Sequence, residues 1–364
     1  MKILLLVTSV FDLTGGVHSF NRALIKAFDD LAGRFDLNVT VLSFLDGDAR
    51  KEQTADYMSS GRIRYRGFKG NKAGFVTAAL GEACTAERVV FGHVNFSLLA
   101  CGMPTSFKSL VVHGIDVWKP LSVFQKLGIS QMCQILSVSE YTQSAFVHFN
   151  GMPPVRFRFL PNTLDPFYSR KALRISPASE LGLPSGRMLL TVTRMARTEE
   201  YKKIDLVIQS MPFILRHIPD AFFVVVGNGD DRSRLEKLAQ ETGVADSVIF
   251  AGFVADQLLS SYYQACDLFV LPSTKEGFGI VFLEAMYHAK ACVGVTAGGV
   301  DEVILDGETG LLAEPSSIES FVECVVRLLG NSQERDAMGH CGKSRLEREF
   351  SYEKFRARVE TILC

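Results

Sequence analysis

The sequence predicts an α/β protein of two tandem domains, each built on a doubly wound parallel sheet. Three observations predict it. The chain has 364 residues, enough for about two domains at roughly 150 residues each. Short apolar runs bounded by turns alternate with amphipathic stretches from end to end, the pattern of strands covered on both faces by helices. One stretch interrupts the alternation: Pro153, Pro154, Pro161, Pro166, Pro177 and Pro184 fall between residues 153 and 185, where periodicity is weak. We therefore place the first domain at 1–168 and the second at 169–349.

In the first domain, Ile3–Thr8 reads as a buried strand. Val17–Leu31 reads as a helix with Phe20, Leu24, Ala27, Phe28 and Leu31 on one face. Val39–Phe44, Arg88–Phe91, Ser109–His113 and Gln134–Val138 are further strands. In the second, Met188–Thr193 is a strand and Tyr201–His217 mostly helix. Ala221–Val226, Val248–Ala251, Leu268–Leu271 and Ala291–Thr296 are strands; Asp231–Thr242, Gln257–Ala265 and Gly279–His288 are helices; Val300–Asp306 is a short helix. Two such domains leave a cleft at the carboxyl ends of their strands, where open α/β sheets take ligands.

Composition narrows the function. Lys and Arg number 39 against 40 Asp and Glu, net −1, so nothing favours nucleic acid. Residues 1–170 hold 18 basic and 13 acidic side chains, net +5, and the remainder is net −6. No apolar run reaches the ~18 residues of a membrane span. Met1–Val10 lacks the length and cleavage site of a signal peptide. Eight scattered cysteines without a Cys-x-x-Cys pair fit reduced thiols and a cytoplasmic protein.

The densest chemical cluster is Lys275-Glu276-Gly277-Phe278-Gly279-Ile280-Val281-Phe282-Leu283-Glu284. It follows a strand and opens a helix. Its glycines allow close backbone approach, and the amides of the next turn face an anion, most naturally a phosphate. Glu276 and Glu284, eight apart, come to nearby faces. An isolated pair of this spacing is usually two solvated carboxylates; the glycines and the strand–loop–helix placement favour a polar ligand. Arg194 ends a predicted strand and Lys202 begins the next helix, two cations suited to a diphosphate; alone, a solvated basic loop fits equally well. Thr14-Gly15-Gly16 opens the first helix as another backbone anion site, and His113 ends a strand beside Gly114-Ile115-Asp116. Gly227-Asn228-Gly229 starts like a dinucleotide fingerprint but lacks the third glycine. Asp46-Gly47-Asp48 matches a metal-binding Asp-x-Asp, yet a turn is the simpler reading. No His/Cys grouping has metal-ligand spacing.

These motifs together resemble retaining glycosyltransferases of the GT-B fold, family 4 (glycosyl transferases group 1). KEGFGIVFLEAM matches the family's Glu-x7-Glu motif. Arg194 with Tyr201-Lys202 resembles its phosphate-binding pair, with Lys203 where the family has Gly. Leu160–Asp165 and Gly298–Val303 resemble its PNGVD and GGVPEV segments. The resemblance implies two Rossmann-like domains facing a cleft, with helix 350–364 packing back on the first. It implies that Glu276 holds donor-sugar hydroxyls, that Gly277 and the amides of Phe278, Gly279, Ile280 and Val281 hold sugar and phosphate, and that Glu284 accepts from the ribose. Arg194 and Lys202 would neutralise the leaving diphosphate, Gly16 would approach the phosphate, and His113 would contact the donor sugar. Asn228, Phe253 and Val254 complete the expected donor site. The substrate would be a nucleoside-diphosphate sugar, with UDP, GDP and ADP all open, and the acceptor a glycan or lipid-linked glycan. No cofactor or metal is expected. A nucleotide-sugar epimerase or sugar phosphorylase shares the fold and stays open.

Arg62, Arg64, Arg66, Lys69 and Lys72, together with the segment Lys119–Leu127, give the first half local basic and apolar character. Peripheral docking on an anionic inner membrane face and a plainly solvated surface both fit them.

Overall fold

The computed structural model describes residues 1–48, 51–151, 156–172 and 178–363. Pro153, Pro154 and Pro177 of the expected connection lie outside the described residues. The chain forms two compact units, Met1–Pro166 with Phe350–Cys364, and Phe167–Glu349.

The first unit runs β1 (Lys2–Val7), α1 (Gly16–Leu31), β2 (Asn38–Ser43), α2 (Lys51–Thr54), β3 (Ile63–Gly67), α3 (Lys72–Ala83), β4 (Arg88–Phe91), a 3-10 helix (Val94–Gly102), β5 (Phe107–Val112), α4 (Val123–Ser130), β6 (Gln134–Ser137), α5 (Glu140–Asn150) and β7 (Phe157–Phe159). The second runs α6 (Tyr168–Lys171), a 3-10 turn (Ala178–Leu181), β8 (Arg187–Val192), a 3-10 helix (Arg197–Lys202), α7 (Ile204–His217), β9 (Ala221–Val226), α8 (Arg232–Glu241), a 3-10 turn (Ala245–Ser247), β10 (Val248–Gly252), α9 (Asp256–Ala265), β11 (Leu268–Val270), α10 (Ile280–Tyr287), β12 (Ala291–Val295), β13 (Gly310–Ala313), α11 (Ile318–Gly330) and α12 (Ser332–Glu349). The last helix, α13 (Tyr352–Leu363), belongs to the first unit.

Every strand pairing is parallel. The first sheet is ordered β3-β2-β1-β4-β5-β6-β7 and the second β10-β9-β8-β11-β12-β13. In both, the order reverses between the first and fourth strands of the unit. The connections leaving those two strands run to opposite sides, and a crevice opens at their carboxyl ends. Burial follows the parallel rule: all six residues of β9, Ala-Phe-Phe-Val-Val-Val, are buried.

Four elements differ from expectation. The sequence shows this stretch only as part of a basic cluster, but Ile63–Gly67 is β3 and pairs along β2 as the sheet's outermost strand. Its alternating charges suit an edge. β7, Phe-Arg-Phe, and β13, Gly-Leu-Leu-Ala, are short outermost strands of their sheets that lack a clear apolar run. Val300–Asp306 is a turn rather than a helix: Val303 and Ile304 amides both reach the Val300 carbonyl, and the pattern then stops.

α13 is fixed to α1 by mixed contacts. Phe355 meets Phe20 edge-on at 5.5 Å, Tyr352 donates to Asp30 at 2.7 Å, and Arg34 pairs with Glu360. Asp165, at the end of the Leu160–Asp165 segment, is buried and accepts from Arg22 of α1 at 2.7 Å and from Tyr57 at 2.8 Å. It anchors the unit's last strand connection to its first helix.

Candidate functional site

In the second unit the predicted residues gather at the carboxyl ends of β8 and β11. Thr193 and Arg194 leave β8, and the 3-10 helix carrying Lys202 is tied to the loop after β11 by Thr274 N–H donating to Tyr201 O at 2.8 Å. That bond brings Lys202 to Glu276. Lys202 Nζ lies 2.5 Å from Glu276 Oε1, with the two side chains 17% and 11% exposed. Burial pulls the Lys202 ammonium down, but Glu276 more than offsets it and holds it above its ordinary value. The two form a largely buried ion pair where the loops after β8 and β11 meet.

Lys203, beside Lys202, stands at a backbone turn. Its backbone is left-handed, φ 57°, and it ends the 3-10 helix as α7 begins. Glycine takes such a turn without strain, and Lys203 adopts it at a conformational cost. Arg194 is well exposed and ion-paired with Glu199.

The Glu276 loop is shaped by two glycines. Gly279 caps α10 with φ 87° and α10 has no side-chain cap; Phe282 N–H turns back to Gly279 O at 3.0 Å, which leaves the Ile280 and Val281 amides without a backbone partner among the described residues, the kind of donors that suit an anion. Gly298 has φ 69°, and a Cβ there would stand 2.5 Å from Glu276 O; Gly299 N–H donates to the same carbonyl at 2.8 Å. The Gly298–Val303 segment therefore backs the Glu276 loop directly.

Glu284, one turn inside α10, accepts from Tyr263 at 2.7 Å. Tyr263 is buried and stacks on His288 at 5.6 Å, with planes 7° apart. Burial and the Glu284 carboxylate hold its hydroxyl protonated, its pKa well above the ordinary value. His288 is pushed down to about 4 by burial and nearby lysines, so it is neutral. No local motif announces this support, since Tyr263 stands 21 residues before Glu284.

The loops after β8, β9 and β10 are joined by backbone bonds. Met195 N–H donates to Asn228 O at 3.0 Å, and Gly227 N–H to Gly252 O at 2.8 Å. Asn228 and Phe253 therefore border the same edge as Arg194, with Phe253 67% exposed and Val254 half-buried beside it.

In the first unit, Gly16 and His113 come to the corresponding crevice, beside β1 and β4. Gly16 opens α1, which has no side-chain cap. His113 Nε2 lies 2.9 Å from Gly92 O, directly after β4, and its ring meets Phe20 of α1 edge-on at 5.1 Å. A carbonyl can only accept, so Nε2 carries the proton and Nδ1 keeps its lone pair. Burial lowers His113 to about 4, which fixes it neutral. Three residues on, Asp116 has a buried Oδ2 with no hydrogen-bond partner among the described residues. Burial raises Asp116 to about 7, against backbone hydrogen bonds and Lys119 that pull it down.

The Asp46 carboxylate is fully engaged inside the fold. It accepts from Ser9, from Val10 N–H at 2.6 Å, from Ser43 at 2.9 Å and from Tyr65 at 2.6 Å. It ties the β1 and β2 loops together. Among the described residues no group of three His, Cys, Asp or Glu side chains is placed to hold a metal ion.

Residues 185–345 match the family model described as glycosyl transferases group 1. A GDP-mannose-dependent alpha-(1-6)-phosphatidylinositol monomannoside mannosyltransferase of Mycobacterium tuberculosis is 30% identical over 266 residues, covering 69% of this chain and 68% of that protein. The chain belongs to the glycosyl transferases group 1 family. This glycosyltransferase is also 30% identical over 186 residues to the N-acetyl-alpha-D-glucosaminyl L-malate synthase of Bacillus anthracis, 50% of this chain and 47% of that one. Anabaena Alr3699/HepE in complex with UDP shares its fold, with TM-score 0.80 at 19% identity over 100% of this chain and 99% of that one. The sucrose-phosphate synthase of Thermosynechococcus elongatus shares it at TM-score 0.76 and 18% identity, over 100% and 98%. The fold of the glycosyltransferase is therefore GT-B, two parallel-sheet α/β domains.

Proposed function

We propose that the chain is a retaining, metal-independent transferase that moves a sugar from a nucleoside-diphosphate sugar to a hydroxyl of a glycan or lipid-linked glycan. The observation that carries this reading is the Lys202–Glu276 pair beside the uncapped start of α10. One ligand satisfies all three groups. Its sugar hydroxyls donate to Glu276, its phosphates accept from Lys202 and the α10 amides, and Glu284 takes the ribose. Breaking a buried ion pair without replacement costs ~3–5 kcal/mol, so the pair favours a ligand that replaces both partners at once.

Bond cleavage places negative charge on the diphosphate and positive charge on the sugar ring. Lys202, Arg194 and the α10 amides stabilise the first without a metal. Neutral His113 accepts a sugar hydroxyl at Nδ1. The acceptor hydroxyl gives its proton to the departing phosphate, on the face that the phosphate leaves. Support for the donor class comes from the GDP-mannose-dependent relative and from the UDP-bound fold neighbour; support for a lipid-borne acceptor comes from the same relative's phosphatidylinositol mannoside.

The test is transfer from GDP-mannose or UDP-glucose to phosphatidylinositol monomannoside and to sugar acceptors in excess EDTA, with the product anomer read by NMR. Transfer with the donor's anomeric configuration supports the reading. Loss in EDTA with rescue by Mn²⁺ or Mg²⁺ removes metal independence, an inverted product removes retention, and a new sugar isomer formed without acceptor points to an epimerase.

A further inference from the structure

The outer face of α4 is apolar and uncovered. Val123, Phe124 and Leu127 are 80%, 66% and 52% exposed. At 100° per residue they fall within one 100° arc of the helix. Leu98, exposed on the neighbouring 3-10 helix, lies beside the same element.

This face is rigidly presented. Ser122 and Gln125 form a reciprocal capping box at the start of α4. On the inner side, Gly128 packs so closely that a Cβ would stand 2.1 Å from Ser97 O, and Ile129 is fully buried. The apolar residues therefore cannot turn inward.

Charge selects the occupant. From Val117 to Ser139 the chain holds Lys119 and Lys126 and no acidic residue. Both lysines are exposed, and Lys126 has no ion-pair partner among the described residues. The other basic group behaves differently: Arg62 pairs with Asp36, Arg64 with Glu82 at 3.1 Å, and Arg66 lies over Phe68. Arg64 and Arg66 sit on β3 and Arg62 directly before it, separated from β5, which feeds α4, by β2, β1 and β4. They do not extend the α4 surface.

We propose that the outer face of α4, with Lys119 and Lys126, docks this chain on an anionic bilayer surface. Phe124, Val123 and Leu127 enter the boundary between headgroups and acyl chains, and the lysines meet anionic headgroups. The purpose, bringing the first unit to an acceptor held in lipid, rests on the transferase reading above. The docking itself does not.

The experiment is co-sedimentation with vesicles of phosphatidylcholine alone and of phosphatidylcholine mixed with phosphatidylglycerol, at low and raised salt. The wild type is expected to bind the mixed vesicles, and salt to weaken binding. The triple variant V123S/F124S/L127S loses it. Lys119→Ala and Lys126→Ala each weaken it by about fivefold, the worth of one cation near such a surface, whereas Arg64→Gln leaves it unchanged. Unfolding curves report whether each variant is folded, and the two lysine variants test the face independently of the triple. Absence of wild-type binding, or equal binding by the triple variant, overturns the proposal. So does a concentration-dependent dimer that the triple variant abolishes, because a second copy would then cover the face. A chain that binds these vesicles but no donor sugar would defeat the transferase reading and leave the docking face standing; one that binds donor but no vesicle would do the reverse.

Discussion

Two adjacent lysines separate chemistry from backbone. Lys202 reaches Glu276 at 2.5 Å, while Lys203 supplies a left-handed turn. Lys202→Ala and Arg194→Ala should each lower kcat/KM by on the order of 10²-fold, the loss of a charge partner in the transition state. Lys203→Ala should do much less. Lys203→Gly should keep activity and raise stability by at most about 1–2 kcal/mol, the strain that a left-handed backbone costs an L-residue, less what glycine's freer unfolded chain takes back. Steady-state kinetics and denaturant unfolding of the four variants check this. If Lys203 proves the sensitive position, the assignment of the phosphate-binding cation is wrong. Asp116 offers a second residue-scale test. Its folded pKa, about 7, exceeds the ordinary 3.8. A raised carboxyl pKa contributes stability that is complete below the unfolded value and is lost as pH rises through the folded one. Asp116→Asn escapes that loss. Its melting temperature relative to wild type should climb between about pH 4 and pH 7 and stay level above; a constant difference across that range would contradict the burial argument.

At the scale of elements, the start of α10 is the most constrained feature. Gly279 has φ 87°, and a Cβ there would lie 2.6 Å from the Phe282 ring. Gly279→Ala should destabilise the second unit by roughly 1–3 kcal/mol, the range for a strained backbone position, and weaken nucleoside-diphosphate binding as the α10 amides shift. Thermal unfolding with calorimetric titration would show both, and a variant that binds as the wild type does would remove α10 from the site. This feature was legible in the sequence because two glycines between a strand and a helix leave few other uses. Lys202, Glu276 and Glu284 were legible for a related reason, being tied to local motifs. Tyr263 was not, because its bond to Glu284 depends on where α9 packs against α10. β3 was hidden by its arginines, which suit an exposed edge and read as a surface patch. β7 and β13, short outermost strands, carry no clear apolar run: Arg158 interrupts the first, and the second holds only two large apolar residues.

At the scale of the whole molecule, each unit places its candidate residues where its own strand order reverses: Arg194, Lys202 and Glu276 beside β8 and β11, Gly16 and His113 beside β1 and β4. The doubly wound class followed from apolar runs alternating with helical stretches. The return of α13 to the first unit could not be read from periodicity and came only through family resemblance. The sharpest test is calorimetric titration of GDP, UDP and ADP, and of GDP-mannose and UDP-glucose, into wild type, Lys202→Ala and Glu284→Gln. The account predicts that at least one nucleoside diphosphate binds without added metal. Lys202→Ala should weaken it by about tenfold or more, the worth of a charge-assisted contact, and Glu284→Gln should weaken the ribonucleotide but not its 2′,3′-dideoxy form. Binding of every nucleotide unchanged in both variants, or no binding at all in the wild type, would contradict it.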